Sequence, residues 1–253
     1  MGVDLQKASM WKRISAFLFD AIVLCLVAVA FGTLLSWVTN YDGYNLELER
    51  YYAEYEQQYG VTFQITGEEY EALTEVEREA YDTAYATLIA DEDMLYTYNM
   101  VLHLTMLITS IGILLAFLVL EFAVPMLFGN GQTLGKKIFS LAVIRTDAVR
   151  VNGLQLFIRT VLGKYTLETM IPVYIVIMIF FNMVGLGGTL LLAALLIAQV
   201  VLAAVTRTNS LIHDLLAGTV VVDYPSQMIF RSTEELVDYT KRIHAERAAR
   251  QPY

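Results

Sequence analysis

Charge is scarce in this chain of 253 residues: only 17 % of its side chains are Asp, Glu, Lys or Arg, against about a quarter in an ordinary soluble domain. Cysteine is nearly absent. Cys25 alone can close no intramolecular disulfide and build no thiolate metal cluster, so within its apolar run it reads as a small packing residue. The chain contains no H-E-x-x-H, no G-x-S-x-G and no pair of Asp in an intramembrane protease arrangement, so no catalytic residue is assigned and no enzyme is expected. No calcium loop of the form D-x-[DN]-x-[DN]-G occurs, and no metal or cofactor site is assigned. The basic residues are scattered without a stripe or recognition motif, which excludes nucleic acid as a partner.

What is abundant is apolar: 57 % of the residues are hydrophobic, and they fall in blocks. About 20 mostly apolar residues suffice to cross a bilayer. Four blocks qualify: Ile14 to Val38, about Met100 to Phe128, about Leu167 to Val184, and Thr189 to Thr206. The glycines of Gly185-Leu186-Gly187-Gly188 read as a hairpin between the last two. The first block is too long for a signal-peptide core and carries Asp20, which argues against cleavage. The expected fold is an all-α polytopic membrane protein with lipid bilayer around it.

The net charge of −9 conceals two regions of opposite sign. Between Thr39 and Met100 stand fifteen acids and two basic residues, Arg50 and Arg78, a balance of −13; the remainder is +4. Lys and Arg flank the N-terminus, the loop after the second block and the tail. The bias of these residues toward the cytoplasm then places the chain in the cell membrane with both termini cytoplasmic and the acidic segment outside. The expected organisation is 1–38 N-terminus and first span, 39–99 acidic extracytoplasmic helical insertion, 100–128 second span, 129–166 cytoplasmic loop, 167–206 helical hairpin, and 207–253 cytoplasmic motif and tail. Within the insertion, 45–59 reads as a helix stopped at Gly60 and Val61 to Ile65 as extended. Thr66–Glu69 and Thr74–Glu77 each have the capping-box spacing, in which a Thr hydroxyl and a Glu carboxylate satisfy each other's free backbone donors. Eleven of the sixteen tyrosines lie here, suited either to a recognition surface or to packing a small helical hairpin.

Ionisable groups inside a span are costly and mark functional candidates. Asp20 lies about 9 Å in from Ile14, Glu121 about 10 Å in from Phe128, and Gln199 about 12 Å in from Arg207, at 1.5 Å per residue. The three share one level and predict one intramembrane polar site, in which Asp20 and Glu121 could share a proton. Arg13, two turns before Asp20, is placed to reach headgroups or a carboxylate on another element. Glu168 reads as an interfacial partner of Lys164.

Two further stretches stand out. Gly131-Gln132-Thr133-Leu134-Gly135-Lys136-Lys137 precedes an apolar run to Arg145, and His213-Asp214, with Ala217-Gly218-Thr219 after it, precedes another to Asp223. Each is a short helical turn leading into a β-branched run, and the two runs suit a short cytoplasmic β-ribbon. The glycine-rich stretch lacks the phosphate-loop spacing. Taken together, Arg13, Asp20, the segment with Gly131, Thr133, Gly135 and Lys136, and His213-Asp214 resemble the RDD family of membrane proteins, named for one arginine and two aspartates. Ala148 and Leu216 depart from its pattern, standing where a glycine and a basic residue are commoner. The resemblance implies a membrane protein of unknown molecular function: an accessory or regulatory subunit of a membrane complex, with another membrane or extracytoplasmic protein or a second copy as partner, or a proton/cation exchanger.

Overall fold

A computed structural model describes residues 4–180, 184–206 and 208–250. Four helical stretches are long and apolar enough to cross a membrane. The first is α1, Met10–Thr39. A short module follows, with α2 (Tyr41–Tyr59), α3 (Gly67–Glu71) and α4 (Glu75–Ala90). The second span begins in α5 (Glu92–Phe117), continues as a π-helical turn, π1 (Leu118–Ala123), and ends in α6 (Val124–Phe128). After α7 (Leu134–Ile138) and β1 (Leu141–Arg145), the third span runs through α8 (Gly153–Phe157), a long π-helix π2 (Ile158–Met170) and α9 (Ile171–Phe180). The fourth is α10 (Gly185–Val205), followed by α11 (Ile212–Ala217), β2 (Thr219–Asp223) and α12 (Thr233–Arg250). The chain is thus a mostly helical, multi-pass membrane protein with one small sheet, as the apolar blocks predict.

Two boundaries differ from the sequence reading. The segment 153–166, read as loop, is helical and belongs to the third span. Gly185 to Gly188, read as the hairpin, form the first turn of α10; residues 181–183 lie outside the described residues. Glycine disfavours helix by about 1 kcal/mol in water, but in hydrocarbon an unbonded backbone group costs more than that, and the helix extends to satisfy it. Cys25, expected to be packed, is exposed on α1.

The chain forms two compact units, Val29–Gly112 and the remainder. The first is built on its capping residues. Thr66 and Thr74 each accept from the amide three residues on and receive the matching glutamate, Glu69 or Glu77, so both capping boxes form. Gly60, at φ +68°, ends α2 in a left-handed cap. Residues 61–65 pair with no strand; Phe63 instead turns inward against Tyr52, Tyr81 and Tyr85. Leu48, Leu88 and Met94 form the module's buried core, with Tyr51, Tyr52 and Tyr55 packed on it. Tyr55 also donates to Asp91, 2.9 Å away. Tyr51, Tyr52 and Tyr55 are thus half-buried packing residues, while Tyr85 and Tyr96 remain 49 % and 60 % exposed. Thr74→Ala should cost this module about 1 kcal/mol. Amide exchange at Glu77 and the first turn of α4 should accelerate about fivefold, with α2 unchanged.

In the other unit, β1 and β2 pair antiparallel, from Leu141 opposite Asp223 to Arg145 opposite Thr219. Both faces of this ribbon are covered. Ala142, Ile144, Val220 and Val222 pack with Ala148, Val149 and Phe230 on one side; Leu141, Val143 and Val221 pack with Ala8 and Ala16 on the other. That explains the unbroken β-branched runs, since a strand buried on both faces has no polar alternation. Ala148 adopts φ +67°, the left-handed turn conformation that a glycine would enter without a Cβ penalty.

Candidate functional site

Asp20 is held by the stretch Gly131–Lys137. Thr133 is the N-cap of α7, its hydroxyl accepting from the Lys136 amide, and the same hydroxyl donates to Asp20. The Gly135 amide donates to Asp20 Oδ1 at 2.7 Å, and Lys136 Nζ lies 3.6 Å from Asp20 Oδ2 and 3.1 Å from Thr133 Oγ1. The carboxylate therefore sits on the free N–H groups of a helix start, where negative charge is favoured. Gly135 permits this approach: a Cβ there would strike the Ala16 carbonyl and the Asp20 carboxylate. At Gly131, at φ +61°, a Cβ would come within 2.7 Å of the Val143 carbonyl.

Glu121 lies on π1 and is 7 % exposed. Its Oε2 is 2.6 Å from Lys164 Nζ on π2. Helices closed by i→i+5 bonds interrupt the ordinary ladder and recur at functional positions; here Thr160 Oγ1 on π2 donates to the Glu121 carbonyl at 2.9 Å. Glu168, also on π2, accepts from the His213 amide at 3.0 Å and bonds His213 Nδ1 at 2.7 Å. It also accepts from the Gln199 side chain.

The third group surrounds Asp214, which is fully buried. Arg159 bonds its Oδ1 and, at 2.7 Å, Thr219 Oγ1. Arg13 Nη2 lies 3.6 Å from Oδ2, and Arg13 Nη1 donates to the Thr208 carbonyl at 2.7 Å. Arg13 thus reaches a carboxylate on another element, as its position on α1 allows. Burial opposes ionisation of Asp214, but Arg159, His213 and Arg13 outweigh it and hold the group well below the usual carboxylate range. Lys136 is pulled down to about 8 by burial and by the Lys164 ammonium, with Glu121 and Asp20 opposing.

Side chains from all three groups, though not Asp214 itself, line one cavity of about 520 Å³. Asp20, Glu121 and Gln199, placed at one level by the sequence, all open onto it, with Arg13, Lys136, Arg159, Lys164, Glu168 and His213. Two expectations change. Asp20 and Glu121 do not form a proton-sharing carboxylate pair: each faces its own lysine, Lys136 or Lys164. Lys164 bonds Glu121, while Glu168 bonds His213. Arg159 and Lys164 fall in the stretch read as cytoplasmic loop and Glu168 is read as an interfacial i,i+4 partner of Lys164, so the sequence reading gives the three no common face in the membrane. Nine residues at about 100° each put Arg159 and Glu168 on opposite sides of an α-helix. A helix with i→i+5 bonds has about 4.4 residues per turn, so nine residues complete about two turns and restore the same face. A search at that longer period would have found the cluster.

His213 provides a pH handle. Burial and the Arg159 guanidinium push it below its ordinary value of 6.5, against the pull of Asp214 and Glu168. The unfolded chain then takes up a proton near 6.5 that the folded chain refuses, so the unfolded state binds more protons and stability falls as pH drops through that value. The melting temperature in detergent should decline below about pH 6.5, and His213→Asn should flatten that decline.

No curated protein and no solved structure matches the chain significantly. The model of one family does, the RDD family, over residues 7–218. That match takes in Arg13, Asp20, the Gly131–Lys137 stretch and Asp214, the residues that converge in the cavity and around it, and the chain belongs to the RDD family.

Proposed function

We propose that this protein is a non-catalytic accessory or regulatory subunit of a membrane complex. In this reading it resides in the cell membrane with both termini cytoplasmic and uses its acidic module outside to capture a membrane or extracytoplasmic protein. The observation that carries the reading is the pairing of the carboxylates around the cavity: Asp20 with Lys136, Glu121 with Lys164, Glu168 with His213, and Asp214 with two arginines. An exchanger needs a carboxylate that alternates between proton and cation; here a lysine or arginine faces Asp20, Glu121 and Asp214, and the amide and ring of His213 hold Glu168, an arrangement suited to locking helices together. The module supports the reading with a core of its own and fifteen acids for two basic residues in its segment. With Arg159 and Lys164 assigned to a span, Lys136, Lys137, Arg145 and Arg150 remain in the loop after the second span, and the charge bias still favours the same orientation.

The second reading, proton/cation exchange, is favoured by the cavity itself. Two measurements separate them. In a mild-detergent pull-down, the full chain should retain a partner that a chain lacking residues 45–90 loses. In proteoliposomes, the full chain should drive no proton-coupled cation flux above empty vesicles; flux that Asp20→Asn abolishes would overturn the accessory reading.

A further inference from the structure

The charges around the cavity are matched in place. Asp20 faces Lys136, Glu121 faces Lys164, and Glu168 is held by His213 and Gln199. Arg13 and Arg159 are taken by Asp214 behind them. A charged ligand would have to displace one of these partners. What the cavity leaves unmatched is apolar surface, and most of that surface is a stripe on α1. Met10, Ile14, Phe17, Ala21 and Leu24 stand four, three, four and three residues apart, which sets them on one helix face. Such a stripe ordinarily packs on another element; here all five residues line the cavity.

The adjacent face of α1 pins it to the rest of its unit through Arg13, Ala16 and Asp20. Across the cavity from the stripe stand Phe117 of α5 and Ala203 of α10. Met10, Ile14 and Phe17 line the cavity and are still 43, 41 and 66 % exposed. The cavity is therefore continuous with the outer surface of α1, where Ile22 and Leu26 face the bilayer. Size decides what enters from there. From Met10 to Leu24 the stripe runs about 21 Å at 1.5 Å per residue. A helix of that length, 10 Å or more across, would fill about three times the cavity's 520 Å³, so a further span does not fit. A single hydrocarbon chain, whose carbons touch their neighbours at about 4 Å, does. One leaflet's hydrocarbon is about 15 Å deep, so the stripe covers the whole length of a chain in that leaflet.

We propose that the cavity is filled by one acyl chain of a phospholipid from the leaflet at the N-terminal end of α1, lying along this stripe with its methyl end beside Leu24 and Phe117. The chain supplies the packing that no neighbouring helix gives this face. The site is independent of whether the acidic module captures a partner.

The test is photo-crosslinking of the full chain in phosphatidylethanolamine–phosphatidylglycerol vesicles that carry a trace of phosphatidylcholine with a diazirine near the methyl end of one chain. Phe117 is 6 % exposed, so lipid around the outside does not reach it, whereas Ile22 and Leu26 report that outer lipid. Peptide mapping should find adducts at Phe117 and Leu24 as well as at Ile22 and Leu26. Adducts at Ile22 and Leu26 with none at Phe117 overturn the proposal without any variant. Ala21→Trp fills the cavity from the stripe and leaves the charged groups in place. It should cut labelling of Phe117 relative to Ile22 by about tenfold, the scale of two methylenes no longer buried. Undiminished labelling of Phe117 in a folded variant overturns the assignment; Leu24→Trp gives the same readout from the deep end. A free fatty acid with the same diazirine should label Phe117 far less than the phospholipid does, and equal labelling would overturn the phospholipid as the source. Cys25 also lines the cavity and should resist a charged, membrane-impermeant thiosulfonate; rapid modification would show a water-filled cavity and overturn the proposal.

Discussion

Asp214→Asn should destabilise the protein by roughly 3–5 kcal/mol, the cost of breaking a buried ion pair by removing one partner. The carboxylate is fully buried and receives Arg159, itself 3 % exposed. Thr219 Oγ1 and the Leu211 amide also donate to it, each at 3.3 Å, and Arg13 lies 3.6 Å away. Asparagine keeps the shape but withdraws the charge, leaving two guanidinium groups in a low-dielectric site. In a chain of this size that loss corresponds to a fall in melting temperature of roughly 10 °C. A charge-neutralised pair, Asp214→Asn with Arg159→Gln, should cost less than the sum of the single changes, because the second substitution removes one of the charges stranded by the first. Additive costs would show that the two side chains act separately.

The second large effect is steric. A Cβ on Gly163 would lie 2.5 Å from His213 Cβ and 2.8 Å from His213 Cα. The backbone of α11 cannot rotate out of the way, so Gly163→Ala must separate α11 from π2. Overpacking of this kind costs roughly 1–3 kcal/mol, and Gly163→Val should exceed the upper end. The displaced helix carries both His213 and Asp214, so the decline of stability below about pH 6.5 should weaken together with the melting temperature. Gly153→Ala is the control: its Cβ would meet nothing closer than a Met126 methyl at 3.7 Å, and it should be neutral or slightly stabilising.

Much of this architecture is legible in the amino-acid order. The apolar runs mark the spans because a bilayer demands length and hydrophobicity. The two Thr-x-x-Glu starts mark α3 and α4 because capping is local. The common depth of Asp20, Glu121 and Gln199 follows from helical rise alone, and all three line the cavity. The counter-charges are hidden because they depend on a different helix. In π2, Arg159, Lys164 and Glu168 come to one face only when the turn widens, and no α-helical pattern reveals that. Gly163 looks like a loop glycine until α11 is laid against it. Gly185 to Gly188 mislead in the opposite sense, being turn-formers in water that membrane depth conscripts into helix.

The span of sequence that separates Arg13 from Asp214 sets a timetable for biosynthesis. Asp20 leaves the ribosome seven residues after Arg13; Lys136 follows more than a hundred residues later, and Asp214 about two hundred. At about 5–20 residues per second, Arg13 waits about 10–40 s for its carboxylate. Through that interval the first span must be handed to the membrane with its ionic groups unmatched, sheltered by the insertion machinery or by water at the interface. α11 therefore completes the pairing of α1 only after the intervening spans have emerged, and a nascent chain truncated before residue 214 should be a preferred substrate for membrane proteases.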